Sequence, residues 1–286
     1  MRVSSFSTII GCFVLTALCA CGRPPVSTET KDTTPSTVTR KAPPLISAFF
    51  GLDHALPNAA NELCSGAGGQ NGMPVVFPLE LDVETIQAGD FKVQTRSGKS
   101  HSVLCVTPAP AFDSGELRTI LLIGDYGNQK DPPVRVSVVG NLLDSSQKQN
   151  FKGQSISVIP LEAGPTIVLA QKAPKAEWSE KNSEATVCPS KTLQVVRITW
   201  AGGVTRADGK DVGEDERKAY RVTLKRPDGS ESTVTPFALA DLNDNDNNHD
   251  LCLDLEGTAT QVSFKAGLLV DPRGDVNPDT QLKVTQ

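Results

Sequence analysis

The chain has 286 residues and a formal charge of −5; it is 38% hydrophobic but only 5% aromatic. That length allows one large domain or two of ordinary size, each with its own core. Lys and Arg form no stripe on any segment, which excludes a nucleic-acid binder driven by phosphate contacts, and abundant Gly, Pro, Val and Thr favour strands and turns over helices.

Residues 1–21, MRVSSFSTIIGCFVLTALCAC, place one Arg ahead of an apolar run from Ile9 to Ala20. The run is short for a membrane span and suits the core of a signal peptide, residues 1–20. It ends in Leu18-Cys19-Ala20-Cys21, which resembles the bacterial lipobox: a branched apolar residue at −3, a small residue at −1, then the lipidated Cys. The resemblance implies a diacylglyceryl group on Cys21, cleavage before it, and attachment to a membrane. Gly22 after that Cys implies export to the outer membrane where the host has two. An ordinary secretory signal is the alternative. Residues 21–45 are rich in Ser, Thr and Pro and nearly free of large apolar side chains. They are expected to be a semi-extended tether holding the body off the bilayer, with the fold starting near Ile46.

The body contains a repeat. DVETIQAGDFKVQTRSGKSHSVLC from Asp82 parallels DVGEDERKAYRVTLKRPDGSESTV from Asp211. In both, Asp-Val is followed by an aromatic (Phe91, Tyr220), an alternating Val (Val93, Val222), a Gly turn (Gly98, Gly229) and a return strand with Val103 or Val234. Period-two apolar residues around a Gly turn predict a hairpin. Further on, Val134–Asp144 parallels Val262–Asp271, each a late strand entering a Gly-centred turn. Other predicted strands are 74–81, 118–125, 156–159 and 166–170 in a first unit, and 193–200, 249–255 and 282–285 in a second. Only 83–88 and 213–219 read as helical, for a turn or two. Two units follow, 46–172 and 173–286, with the polar stretch 171–192 as the link between them.

VVFPLELDVETIQAGDFKVQTRSGK (75–99) resembles the opening of bacterial Ig-like domains of the surface-layer type, and FKAGLLVDPRGDVNP (264–278) resembles their closing segment. The resemblance covers about a third of the body; the second unit has Trp200 and Gly213-Glu214 where the pattern has Phe and Thr-Ile. It implies an all-β fold of two Ig-like β-sandwich units in tandem, and no activity.

Cys12 and Cys19 belong to the signal and Cys21 to the lipid, leaving Cys64, Cys105, Cys188 and Cys252. In an oxidising compartment these read as two disulfides, and no CxxC or nearby His suggests zinc. If the repeat equates Cys64 with Cys188 and Cys105 with Cys252, the bridges are Cys64–Cys105 and Cys188–Cys252; pairing between units is the alternative.

In DLNDNDNNHD (241–250), eight of ten residues are Asp or Asn, and no Lys or Arg lies between Arg226 and Lys265. On the repeat as aligned, this loop is an insertion in the second unit. Calcium takes six to eight oxygens, and Asp241, Asn243, Asp244, Asp246, Asn248 and Asp250 are the candidate ligands. The series resembles EF-hand and dockerin-like loops but lacks the sixth-position Gly and the twelfth-position Glu. A solvated loop of Asx turns is the competing reading.

His54, His101 and His249 fall in no HExxH or GxSxG motif, and Gly-rich 65–72 lacks a phosphate loop's Lys. DPRGDVNP (271–278) could hold a second cation, but reads better as a turn. No catalytic residue is assigned. The sequence points to a lipid-anchored binding or scaffolding protein of the cell envelope, with an envelope protein or polysaccharide as partner. An envelope hydrolase would be revived by a pocket joining His54 or His249 to a buried carboxylate. A structural accessory of an envelope complex would show a large exposed apolar patch.

Overall fold

The structure, a computed structural model, describes residues 25–178, 186–244 and 246–286. The export signal, Cys21, part of the expected link and Asn245 lie outside the described residues.

The first half holds β1 (Ser47–Ala48), β2 (Asn71–Val76), β3 (Phe91–Thr95), β4 (Ser100–Ser102), β5 (Cys105–Thr107), β6 (Thr119–Gly124), β7 (Pro133–Val138) and β8 (Ser155–Ser157). The second holds β9 (Ile167–Ala173), β10 (Gln194–Trp200), α1 (Glu214–Ala219), β11 (Tyr220–Lys225), β12 (Glu231–Val234), β13 (Ala238–Ala240), β14 (Asn248–Leu253), β15 (Thr258–Phe264) and β16 (Thr280–Lys283). They form four antiparallel four-stranded sheets: β1-β2-β6-β5 and β4-β3-β7-β8, then β9-β10-β14-β13 and β12-β11-β15-β16. The fold is all-β, and the halves repeat strand for strand.

Period-two alternation builds each core. Met73, Val75, Ile120 and Leu122 meet Phe91, Val93, Val136 and Val138 from the facing sheet. In the second half, Val196, Ile198, Trp200, Leu251 and Leu253 meet Tyr220, Val222, Val262 and Phe264. Trp200 sits edge-on to Phe264 with ring centres 5.3 Å apart. The two hairpins form as expected, with Gly98 at φ +87° and Gly229 at φ +84° where a side chain would be strained. Ahead of each, Asp82 or Asp211 precedes a short helical turn, Val83–Thr85 or α1. α1 carries acids in its first turn and Arg217 and Lys218 in its last, matching the helix dipole.

Three expectations change. Residues 166–170, expected in the first unit, fall largely in β9, which pairs with β10 in the second half. Residues 25–45 are extended but lie on the first half rather than off it. Ser27 pairs with Val106, Asp32 accepts from Asn141 N (2.9 Å) and Nδ2 (3.0 Å), and Ala42 and Leu45 join the core. Polar contacts thus do what the apolar-poor sequence could not do by burial. Finally, the Asp/Asn loop is no insertion. Residues 241–247 join β13 to β14, as residues 108–118 join β5 to β6.

The disulfides are Cys64–Cys105 and Cys188–Cys252, one within each half. The pairing is the expected one, but the equivalence behind it was wrong. Cys105 pairs with Ile123 across β5–β6, and Ala238 pairs with Cys252 across β13–β14. Cys252 therefore matches Ile123, on the neighbouring strand. No helix among the described residues is long and apolar enough to cross a membrane.

A carboxylate cluster where the two halves meet

β10 is buried along its whole length, although a sheet strand needs only one face in its own core. Val196, Ile198 and Trp200 fill the second core; Arg197, on the opposite face, reaches the first half. Arg197 Nη1 donates to Ser114 O (2.7 Å), and Nη2 to Glu177 O (2.9 Å). Nε and Nη2 clasp both oxygens of Asp250 at 2.8 and 3.0 Å, and Nη1 lies 3.4 Å from Glu116 Oε1. A guanidinium suits this place because its planar fork meets a carboxylate and two carbonyls at once. In the first half the matching ladder pair is Pro74 and Leu121, which is apolar.

The equivalent loops 108–118 and 241–247 converge at this contact. Carboxylate oxygens of Asp113, Asp241 and Asp244 lie within 4.8 Å of one another, as do those of Glu116, Asp241 and Asp246. Asp113 and Glu116 come from the first half and the others from the second. Local geometry explains the loop's composition. Asp241 (φ 62°) and Asn243 (φ 77°) take left-handed conformations that Asp and Asn tolerate best. Asn243 N donates to Asp211 Oδ2 (2.7 Å). Asn248 N and Nδ2 each donate to Asp246 at 2.7 Å, and Asn247 Nδ2 donates to Trp200 O at 2.7 Å, pinning the loop to β10.

Burial of like charges dominates the electrostatics. Burial, then the charges of Asp246 and Asp241, hold Glu116 well above the ordinary carboxyl range, against the pull of Arg197. Burial, then Asp241 and Asp244, do the same to Asp246. Burial and the Asp250 charge push Asp241 up to about 6, and burial raises Asp244. Glu116 and Asp241 bring carboxyl oxygens within 4.8 Å of each other, and a proton held by one of two such groups relieves their repulsion. A cation could take that proton's place. Oxygen donors alone suit a hard divalent ion, and two oxygens on one calcium ion lie at most about 5 Å apart.

Of the six sequence-predicted ligands, Asp241, Asp244 and Asp246 come together. Asp250 does not serve: Arg197 holds both its oxygens. Asn248 Oδ1 accepts from Thr199 Oγ1 (2.7 Å) and its Nδ2 donates to Asp246, so it supports the cluster rather than facing an ion. Asn243 contributes its backbone N–H to Asp211. Asp113, Glu116, Asp211 and Arg197 were missed; pairing the two β-loops across the repeat was the one signal that could have found Asp113 and Glu116. Asp271 caps its own turn, Oδ1 accepting from Arg273 N and Asp275 N at 2.9 Å.

His249 lines a cavity of about 200 Å³ with Asp211, Asp241, Asp244 and Asp246. Its Nδ1 is 2.7 Å from Tyr220 Oη, and burial lowers its pKa to about 4, so the ring is neutral. His54 instead sits half-exposed beside Asp53 (2.7 Å) and Asp125 (3.6 Å). Comparison with protein-family models and with curated proteins finds no match for the chain.

Proposed function

We propose that the protein is a lipid-anchored binding or scaffolding protein of the cell envelope, whose two halves are braced by calcium at the carboxylate cluster. The observation that carries the calcium reading is the pair of acidic triads built from both halves, with one carboxylate oxygen from each residue of a triad within 4.8 Å of the others. Carboxylates gathered in this way repel one another unless protonated or neutralised by a cation, and calcium accepts the irregular oxygen sets that loops provide. The anchor reading rests on Leu18-Cys19-Ala20-Cys21. Two disulfides accord with an oxidising compartment.

A ligand of the folded state must raise its stability by mass action. Melting should therefore rise in calcium and fall in EDTA for the wild type, and an Asp244→Ala/Asp246→Ala variant should lose the difference. Equal melting in both solutions for the wild type would remove the calcium reading.

The cavity that joins His249 to carboxylates favours the hydrolase alternative by one observation. The geometry supplies no nucleophile for it: among the described residues, no serine, threonine or cysteine hydrogen-bonds the His249 ring, whose Nδ1 is taken by Tyr220. The binding reading is the better supported.

A further inference from the structure

A second cavity, of about 140 Å³, opens between the halves beside the acidic one. Its walls include Phe49, Leu52, Leu56, Pro74, Pro108 and Leu121. The duplication explains why it is apolar and hollow. Pro74 and Leu121 stand on the outward face of their sheet, at the ladder positions that Arg197 and Asp250 occupy in the second half. There the row is closed by an ion pair. Here it carries no charge, and Gly51, Gly72, Gly202 and Gly203 line the cavity beside it. The two cavities share Gly203, Asp246 and Pro272. An apolar cavity therefore adjoins a carboxylate-lined one, and among the described residues no Lys or Arg lines either.

We propose that this cleft binds a small amphiphile with an apolar chain and a positively charged nitrogen, the chain against Pro74 and Leu121 and the nitrogen beside Asp246. Charge complementarity selects the head: Asp246 lies within reach of Glu116 and Asp241, and among the described residues no Lys or Arg lines the cleft. An anionic head would find no cationic partner among those lining residues. Access selects a small molecule over a folded partner, because Asp246 is 8% exposed and Phe49 is fully buried. Apolar walls with a few convergent polar groups are the usual form of a small-ligand site. The inference stands on the cleft and not on calcium; a metal ion and an ammonium group would compete for the same carboxylate.

The test is calorimetric titration of the protein, in EDTA and again in calcium, with butyltrimethylammonium. Butanol carries the same chain on a neutral head, and tetramethylammonium carries the head alone. In EDTA the ammonium amphiphile should bind roughly tenfold tighter than butanol, with tetramethylammonium also weaker than the amphiphile. Asp246→Asn should erase the preference between heads. A Cβ at Gly203 meets no atom within 4 Å, so Gly203→Leu should keep the wild-type melting temperature while blocking the cavity and abolishing binding. Equal affinity for the two heads, undiminished binding by Gly203→Leu, or no binding of the ammonium amphiphile would each overturn the proposal. Amphiphile binding without any calcium effect would remove the calcium reading and leave this one standing; calcium binding without amphiphile binding would do the reverse.

Discussion

Replacing Arg197 with Leu should destabilise the protein by about 3–5 kcal/mol, the usual result of removing one partner from a buried ion pair. Arg197 is 2% exposed, and Asp250, whose two oxygens it holds, is 1% exposed. The substitution strands that carboxylate and also leaves Ser114 O and Glu177 O without their guanidinium donor. The first half shows that the ladder row needs no charge, since Pro74 and Leu121 fill it there. Arg197→Leu/Asp250→Leu should therefore be more stable than Arg197→Leu alone, by roughly 2 kcal/mol, because the Asp250 carboxylate is no longer stranded. Urea unfolding followed by tryptophan fluorescence measures both variants. A cost below about 1 kcal/mol for the single variant, or a double variant no better than the single, would refute the reasoning that this pair is desolvated and mutually dependent.

Calcium stabilisation should grow as pH rises from about 4 to 7. The folded protein keeps a proton on Asp241 up to about pH 6 that the unfolded chain releases near its ordinary 3.8. Metal-free stability therefore falls across that window, while calcium, which needs the ionised form, gains; melting curves across pH check both slopes. Asp90 offers the same sign without metal. Burial lifts it to about 7, so stability should drop between pH 4 and 7 and flatten above. Asp90→Asn should remove that drop and melt higher than wild type at pH 8, as read by thermal denaturation. Removing either disulfide should cost about 4 kcal/mol or somewhat less on the loop-entropy model, since the bridges close separations of 41 and 64 residues. Denaturant unfolding of the Cys-to-Ala pairs, Cys64/Cys105 and Cys188/Cys252, measures it.

The hairpins and central strands were legible because one face of each is apolar at period two: Phe91 and Val93, Tyr220 and Val222, or the run from Leu193 to Trp200. The edge strands β1, β5 and β13 escaped notice because two or three residues cannot display a period. The Asp/Asn loop was misplaced because Cys105 and Cys252 were aligned as equivalents. The bridges still came out right, since each closes within its own half whichever strand holds the second Cys. Half of the carboxylate cluster was invisible for a different reason. Asp113 and Glu116 stand in AFDSGELR, an ordinary polar loop, and join the other acids only where the duplicated loops meet. Arg197 read as one more residue of a strand; its outward direction was legible, but the first half waiting there was not. The seating of residues 25–45 rests on side-chain and backbone hydrogen bonds to distant loops, which leave no local pattern.

The proposed cation site draws on acids from both halves, and calcium titration by calorimetry reads it out. The wild type, Asp241→Asn and a first-half variant, Asp113→Asn/Glu116→Gln, should be compared. One calcium ion should bind the wild type, and both variants should bind it at least about tenfold more weakly, since the first removes one acid of the cluster and the second removes two. Unaltered calcium binding by the first-half variant would contradict the claim, because the site would then belong to the Asp/Asn loop alone.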